Sequence, residues 1–419
     1  MADPVTATPP EETAPAAASE RALALLRRRD FRRTYLAIGV SELGDAFQYI
    51  ALMWLALESA GPLGVIAVRL ADSVPALLFG LHGGLIADRL DRKRTMIGAD
   101  LVRGAVLVPI AAAGLAGELP LAALVAAAFV LTAATSYFAP AYGAILPALV
   151  DRRNVQQANG LVRATADALS VGGWALAALL LAALPLSAFF VLNSASFFLS
   201  AVLLSGVRVR QDGEPPAQLR IRDGFAALRP LPALAAAVGV LAVAVTISSG
   251  TWIVGVPELV RTELGRGAAV FSLVAAAYAF GSIAAGIALT RVTIRRKAVG
   301  SIVAWSAYLP GYALFALASS VPVALAAGAA VGFGQGASWV LINSAAQEQV
   351  PDRLLGRVMG LIALVHRGAH ATGLLFVAPL FAVTEPQLVF AAAAIAIPLT
   401  ALMGLAFASR REAAAPAAV

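Results

Sequence analysis

Apolar runs, each long enough to cross a bilayer, follow one another through nearly the whole chain with only short polar breaks between them. A hydrocarbon core about 30 Å thick takes about 20 apolar residues per helical crossing. Backbone groups in lipid must be hydrogen-bonded within the protein, so continuous apolar runs of this length read as helices. The runs lie near 34–57, 63–83, 95–116, 121–146, 159–183, 186–206, 232–256, 268–290, 298–318, 321–345, 356–381 and 387–408. They predict an all-α polytopic membrane protein with 12 transmembrane helices. Composition agrees: 60% of the residues are hydrophobic and 13% charged, whereas soluble domains have about 45–50% and 25%. Once the solvent is lipid, each polar side chain within a run requires a reason.

The longest polar break, Val207–Leu231, carries five arginines and the stretch Gln211–Pro216. It divides the chain near its middle, as a linker does. Every second break is basic: Arg21–Arg33, Arg89–Arg94, Arg152–Arg153, the linker, Arg291–Lys297, Arg353–Arg357 and Arg410–Arg411. The intervening breaks carry no Arg or Lys, except Glu258–Arg266, read as a loop with two acids and two arginines. Positive residues stay on the cytoplasmic side, which places both termini and the linker there. Much of the net charge of +7 is then topological and gives no reason to expect a nucleic-acid partner. The expected organisation is a disordered cytoplasmic tail over 1–30, an N-terminal bundle over 31–206, the linker over 207–231, a C-terminal bundle over 232–409 and a second tail over 410–419. The Ala- and Arg-rich usage suggests a bacterial chain, hence one in the cytoplasmic (inner) membrane, as a monomer.

The bundles echo one another. Leu149–Leu161 lies 200 positions before Gln349–Leu361, and both hold an Asp-Arg step and a closing Gly-Leu. Gly84–Arg94 relates in the same way to Gly286–Arg296. Duplicated halves are a common plan of secondary transporters, with the substrate held where the repeats meet.

The most specific motif is Gly84-x-x-Ala87-Asp88-Arg89-x-Asp91-Arg92-Lys93. It resembles the signature loop of the major facilitator superfamily, G-x-L-A-D-R-x-G-R-K, with Asp91 in place of the usual glycine. Gly44-Asp45, Ala99–Gly104 and Gln347–Val358 are similar to the enterobactin-exporter-like and macrolide-efflux-like branch. The resemblance implies the major facilitator fold, two pseudo-symmetric six-helix bundles. It also implies a cytoplasmic gate of Gly84, Asp88, Arg89, Arg92 and Lys93 against Gly356 and Arg357 at the start of the eleventh helix, where an aspartate is favoured by the helix dipole. The Gly-Pro kink of many drug/proton antiporters of this superfamily is missing: residues 170–177 have Gly173 where proline would stand.

An ionisable group at mid-membrane costs at least about 2.5–3.5 kcal/mol on insertion scales. The first run holds Glu42, Asp45 and Tyr49, spaced to share a helix face, and the second holds Arg69 and Asp72. Burial and a nearby arginine pull a carboxylate's proton affinity in opposite directions. A proton-coupling site in the N-terminal bundle is therefore one reading of these five; static ion pairs are the other. Asp100 with Arg103, and Arg163 with Asp167, repeat the spacing nearer the cytoplasmic ends and read as self-paired. His366 and His370 share a face but have no third ligand nearby, so no metal site is expected. The tenth run is polar for a membrane span; its Gln335, Trp339 and Asn343, with Trp252 of the seventh, are the candidate substrate cavity.

There is no cysteine, which excludes thiol chemistry, and no nucleophile–base pair or phosphate loop points to an enzyme. The expected function is secondary active transport by alternating access: proton-coupled efflux of small amphiphilic compounds (a drug, siderophore or other secondary metabolite), as in a multidrug-resistance antiporter, with the proton gradient as energy source and no cofactor. The alternative is a nutrient importer or facilitator whose intramembrane charges are structural. A non-transporting scaffold is disfavoured by the short loops.

Overall fold

The structure is a computed structural model that describes residues 24–89, 91–151, 154–208, 221–292 and 294–414. The described residues form helices and their connections. A 3-10 turn, Leu25–Arg27, leads into α1, Arg29–Arg89, which is broken at Ala60 and Gly61. Gly61 has φ +59°, a left-handed conformation that glycine adopts without the Cβ penalty, and Pro62 follows. The break divides α1 into a first arm (29–59) and a second arm (62–89) that faces it. Then come α2 (Arg92–Leu115), α3 (Leu121–Ile145), α4 (Val155–Leu180) and α5 (Ala188–Ser205). The short α6, Ile221–Leu228, lies in the linker. Beyond it run α7 (Pro232–Gly250), a π-turn at Thr251–Gly255, α8 (Val256–Thr262), α9 (Ala268–Arg291), α10 (Lys297–Ala304), α11 (Tyr308–Ala316), α12 (Val321–Gln349), α13 (Asp352–Phe376), α14 (Leu380–Val383) and α15 (Pro386–Ala414).

Among the described residues, ten helical segments are long and apolar enough to cross a membrane, the first covering 29–75. The α4 helix is not among them, because Gln156, Gln157, Asn159, Arg163 and Asp167 dilute its N-terminal half. The outer surface is what lipid would cover: Leu179, Val202, Phe280, Leu317, Ile395 and Met403 are all exposed.

Packing falls into two groups. Helices α1–α5 pack chiefly on one another, as do α7–α15. The C-terminal group has an aromatic centre in which Phe390 meets Tyr312, Phe315 and Phe381 at ring-centroid distances of 5.6, 5.1 and 5.6 Å. Between the groups, α4 packs on α9, and α1 touches α8, α9 and the π-turn.

Several expected boundaries move. Residues 24–30 do not belong to a tail: Leu25 is buried with Phe31, Leu146 and Val162, because an apolar side chain at the end of the bundle gains more by packing than by solvation. Arg28 also pairs with Asp151. At the other end α15 continues through residue 410 to Ala414, with the Arg411 guanidinium 5.5 Å from the Phe407 ring. The presumed loop Glu258–Arg266 begins as helix. Glu258 and Arg261 form a two-pronged ion pair at 2.9 and 3.0 Å, and the mutual neutralisation lets both stay on a helix that ends at Thr262. The linker is helical over Ile221–Leu228.

Candidate functional site

Three cavities hold most of the candidate site residues. The first is within the N-terminal group, about 200 Å³ in volume, and Asp45, Tyr49, Arg69, Asp72 and Arg103 all line it. Helical spacing brings Asp45 and Tyr49 onto one face of the first arm of α1, and the break at Gly61 folds the second arm back so that Arg69 and Asp72 meet that face. Arg69 donates to Asp72 at 2.6 Å, and Thr132 of α3 donates to the other carboxylate oxygen at 3.2 Å. Asp45 is held differently. Asn193 of α5 donates to it at 3.0 Å and to Gln48 at 2.7 Å. Gly44 permits this approach, since a Cβ there would lie 2.2 Å from the Asn193 amide oxygen. Among the described residues no ion pair forms on Asp45.

Arg103 does more than its spacing indicates. Its pairing with Asp100 is as the spacing suggests, and Ser200 donates to the second Asp100 oxygen at 2.6 Å. The guanidinium is also stacked between Phe138 and Phe197, 4.5 and 4.3 Å from their centroids. That clamp turns it into the Asp45 cavity, where its charge acts on Asp45. Glu42 does not line this cavity; it sits toward Arg163 and Asp167, whose charges act on it.

The second cavity, about 140 Å³, lies within the C-terminal group and is lined by Trp252, Tyr308, Tyr312, Gln335, His366 and His370, among others. Trp252 is carried by the π-turn, a helix distortion frequent at functional sites, and stacks on Tyr278 at 4.2 Å. Tyr308 donates to Gln335 at 2.8 Å. His366 stands between Trp339 and His370, with centroids 5.2 and 4.8 Å away. Asn343 donates back to the Trp339 carbonyl at 2.7 Å and lines neither this cavity nor the next.

The third cavity, about 590 Å³, lies between the groups. From α4 it takes Arg163, Asp167, Ser170 and Trp174; from the other group, Tyr278, Ser282, Gln335, Trp339, His366 and Arg367. Its far end, away from the termini, is shut by contacts between the groups. Tyr49 packs on Trp174 and Phe271 with centroids 5.7 and 6.2 Å apart, Trp54 packs on Phe271 at 6.2 Å, and Ser272 donates to the Trp174 carbonyl. The Arg261 guanidinium lies over the Gly61 turn. Nearer the termini the Arg163–Asp167 pair is exposed, 77% and 52% at the side chains, so the cleft is open at that level. Tyr49 thus belongs both to the closed end and to the Asp45 cavity.

Of the expected gate, the Asp88 and Arg89 side chains and the surroundings of Gly84 and Gly356 lie outside what is described. Lys93 donates to the Ser205 carbonyl at 2.5 Å, and Arg92 borders the same turn as the first residue of α2. Asp91 is the N-cap of α2, accepting the Arg94 N–H at 2.8 Å; aspartate is a preferred N-cap, which accounts for its standing where the motif has glycine. Arg357 lines a groove with Leu231 and Leu354 beside α6. Asn193 was missed altogether, although a lone amide in so apolar a span as α5 is the kind of signal that marks such a site. No group of three or more metal-ligating side chains occurs among the described residues.

Lipid-compatible helices in two packed groups, a polar cleft between them and a cluster of buried charged residues in the N-terminal group mark a membrane transporter. The chain belongs to the MFS_3 family, the transmembrane secretion effectors, whose profile matches residues 20–418. It is similar to the multidrug efflux pump Tap of Mycobacterium bovis, 25% identical over 88% of this chain and 91% of that protein. It is also similar to macrolide efflux protein A of Streptococcus pyogenes, 26% identical over 45% of this chain and 49% of that one. Against several curated relatives the match spans about half of their length or less. Among solved structures, a bacterial homologue of the iron transporter ferroportin in an inward-facing state shares the fold, with a TM-score of 0.71 at 17% identity over 91% of this chain and 99% of that one.

Proposed function

We propose that this transporter is a proton-coupled exporter of small amphiphilic compounds that works by alternating access in a bacterial cytoplasmic membrane. The observation that carries the reading is Asp45, a buried carboxylate held by an amide rather than by a cation of its own, in a cavity that reaches the aromatic closure through Tyr49. A carboxylate so placed exchanges a proton at least cost when the cavity opens to water. Opening the far side parts Tyr49 from Phe271 and gives Asp45 that access. The efflux proteins among the relatives support the direction of transport.

On this reading the crossings number twelve: the ten apolar segments, with the broken α1 counted as two and α4 included. They divide into the bundles 31–206 and 232–409 with the termini and linker cytoplasmic, so the described conformation faces inward. Asp88, Arg89, Arg92 and Lys93 with Gly356 and Arg357 form the inner gate.

The test is flux. In inside-out vesicles energised by an acid interior, an uncharged fluorescent amphiphile such as Nile red should accumulate, and collapse of the pH gradient should release it. Accumulation in right-side-out vesicles instead, or accumulation indifferent to the gradient, contradicts the reading.

A further inference from the structure

Arginine in a membrane span is expensive unless its charge is answered. In this molecule each answer is local: Arg69 pairs with Asp72, Arg103 with Asp100, Arg163 with Asp167 and Arg261 with Glu258, each three or four residues along the same helix. Arg367 breaks the pattern. From Ala363 to Ala371 no acid flanks it, and among the described residues no ion pair forms on it. It nonetheless lines the cleft between the bundles, some 22 Å along α13 from Asp352 at 1.5 Å per residue.

The charges around it are few. Across the cleft Asp167 is occupied by Arg163, and Glu42 lies beside that pair on the same N-terminal wall. On its own wall the neighbours are neutral or titratable rings, His366 with Trp339 and His370. Trp174, facing the same cleft, keeps its indole N–H buried without a partner. The cleft therefore offers an unanswered cation and stacking faces on one wall and a spare N–H donor on the other, in a volume of about 590 Å³. A guanidinium takes a carboxylate by charge-assisted, often two-pronged hydrogen bonds, and flat rings take a planar body.

From this we infer that the cleft selects planar aromatic compounds that carry a carboxylate, with Arg367 as the specificity-determining residue. The inference rests on the cleft being the transport site and adds the charge of the cargo. A bound carboxylate also neutralises Arg367, so the loaded cleft meets a lower barrier to closure than the empty one.

The test uses the full chain in nanodiscs and fluorescence anisotropy of three matched probes: a methoxycoumarin carboxylate, its methyl ester and its aminomethyl analogue. The carboxylate should bind about tenfold or more tightly than the ester, the value of one charged hydrogen bond, and the amine weakest. Arg367→Gln should erase most of the difference between carboxylate and ester, and Arg367→Lys should restore part of it. An unfolding temperature no lower than that of wild type shows that the variant is folded. Equal affinity of wild type for carboxylate and ester, tighter binding of the amine, or no binding of any probe each overturns the inference. The transport reading is judged separately by the flux assay with uncharged Nile red, which does not depend on these probes.

Discussion

The two bundles treat charge in opposite ways. In the N-terminal one, Asp72 and Asp100 are each matched to an arginine, and the groups left over, Glu42 and Asp45, are carboxyls. In the C-terminal one the half-buried pair Glu258–Arg261 sits at the far end, and the group left over, Arg367, is a guanidinium. The N-terminal cavity is small and ringed by carboxylates and guanidiniums; its C-terminal counterpart is ringed by tyrosines, tryptophan and histidines. On the proposed reading the two bundles divide the work: one wall manages protons, the other recognises a ring-bearing cargo. Tyr49, on the N-terminal side but packed on Phe271, is where the two meet.

This comparison can be broken by removing single carboxylates. The largest loss is expected from Asp100→Asn, because Arg103 and Asp100 are nearly inaccessible, at 5% and 0% side-chain exposure, and an uncompensated buried guanidinium costs about 3–5 kcal/mol. Thermal unfolding in detergent should show it, and adding Arg103→Gln should recover most of the loss; a single variant as stable as wild type would mean the clamp is not what holds α2 to α5. Glu258→Gln in the other bundle should cost less, about 1–3 kcal/mol, since Arg261 is partly exposed and can reach water. If its unfolding temperature fell as far as that of Asp100→Asn, the pair would be as central to its bundle as the N-terminal clamp. Smallest of all is Arg163→Gln. An exposed pair contributes about 0–1 kcal/mol, so stability should hardly move, and a large fall would assign that pair a structural role the geometry does not.

Much of this division is legible in the chain before it is folded. The apolar runs, the linker and the repeated loops locate the helices, and spacings of three and four residues put Asp45 with Tyr49 and Arg69 with Asp72. What spacing within one helix cannot supply is rotation about its axis and depth along a neighbour. Asn193 meets Asp45 across 148 positions, and Arg103 reaches the same cavity only because two phenylalanines from α3 and α5 stack on it. Asn343 was placed in the cleft by its polarity, yet its amide is spent on its own helix. Glu258 was assigned to a loop by its charge, although an arginine three residues on satisfies it within helix. Arg367 has no acid within four residues along the chain, but that no ion pair forms on it from a neighbouring helix among the described residues is a property of the folded cleft.

The central claim is that coupling resides on Asp45 in the N-terminal bundle. It is tested most directly by the proton released into weakly buffered solution when a transported amphiphile is added to purified protein. Wild type should release protons in proportion to bound ligand, and Asp72→Asn, whose carboxylate is already matched by Arg69, should keep most of that release. Asp45→Asn should bind ligand and release none. Undiminished release from Asp45→Asn would contradict the account.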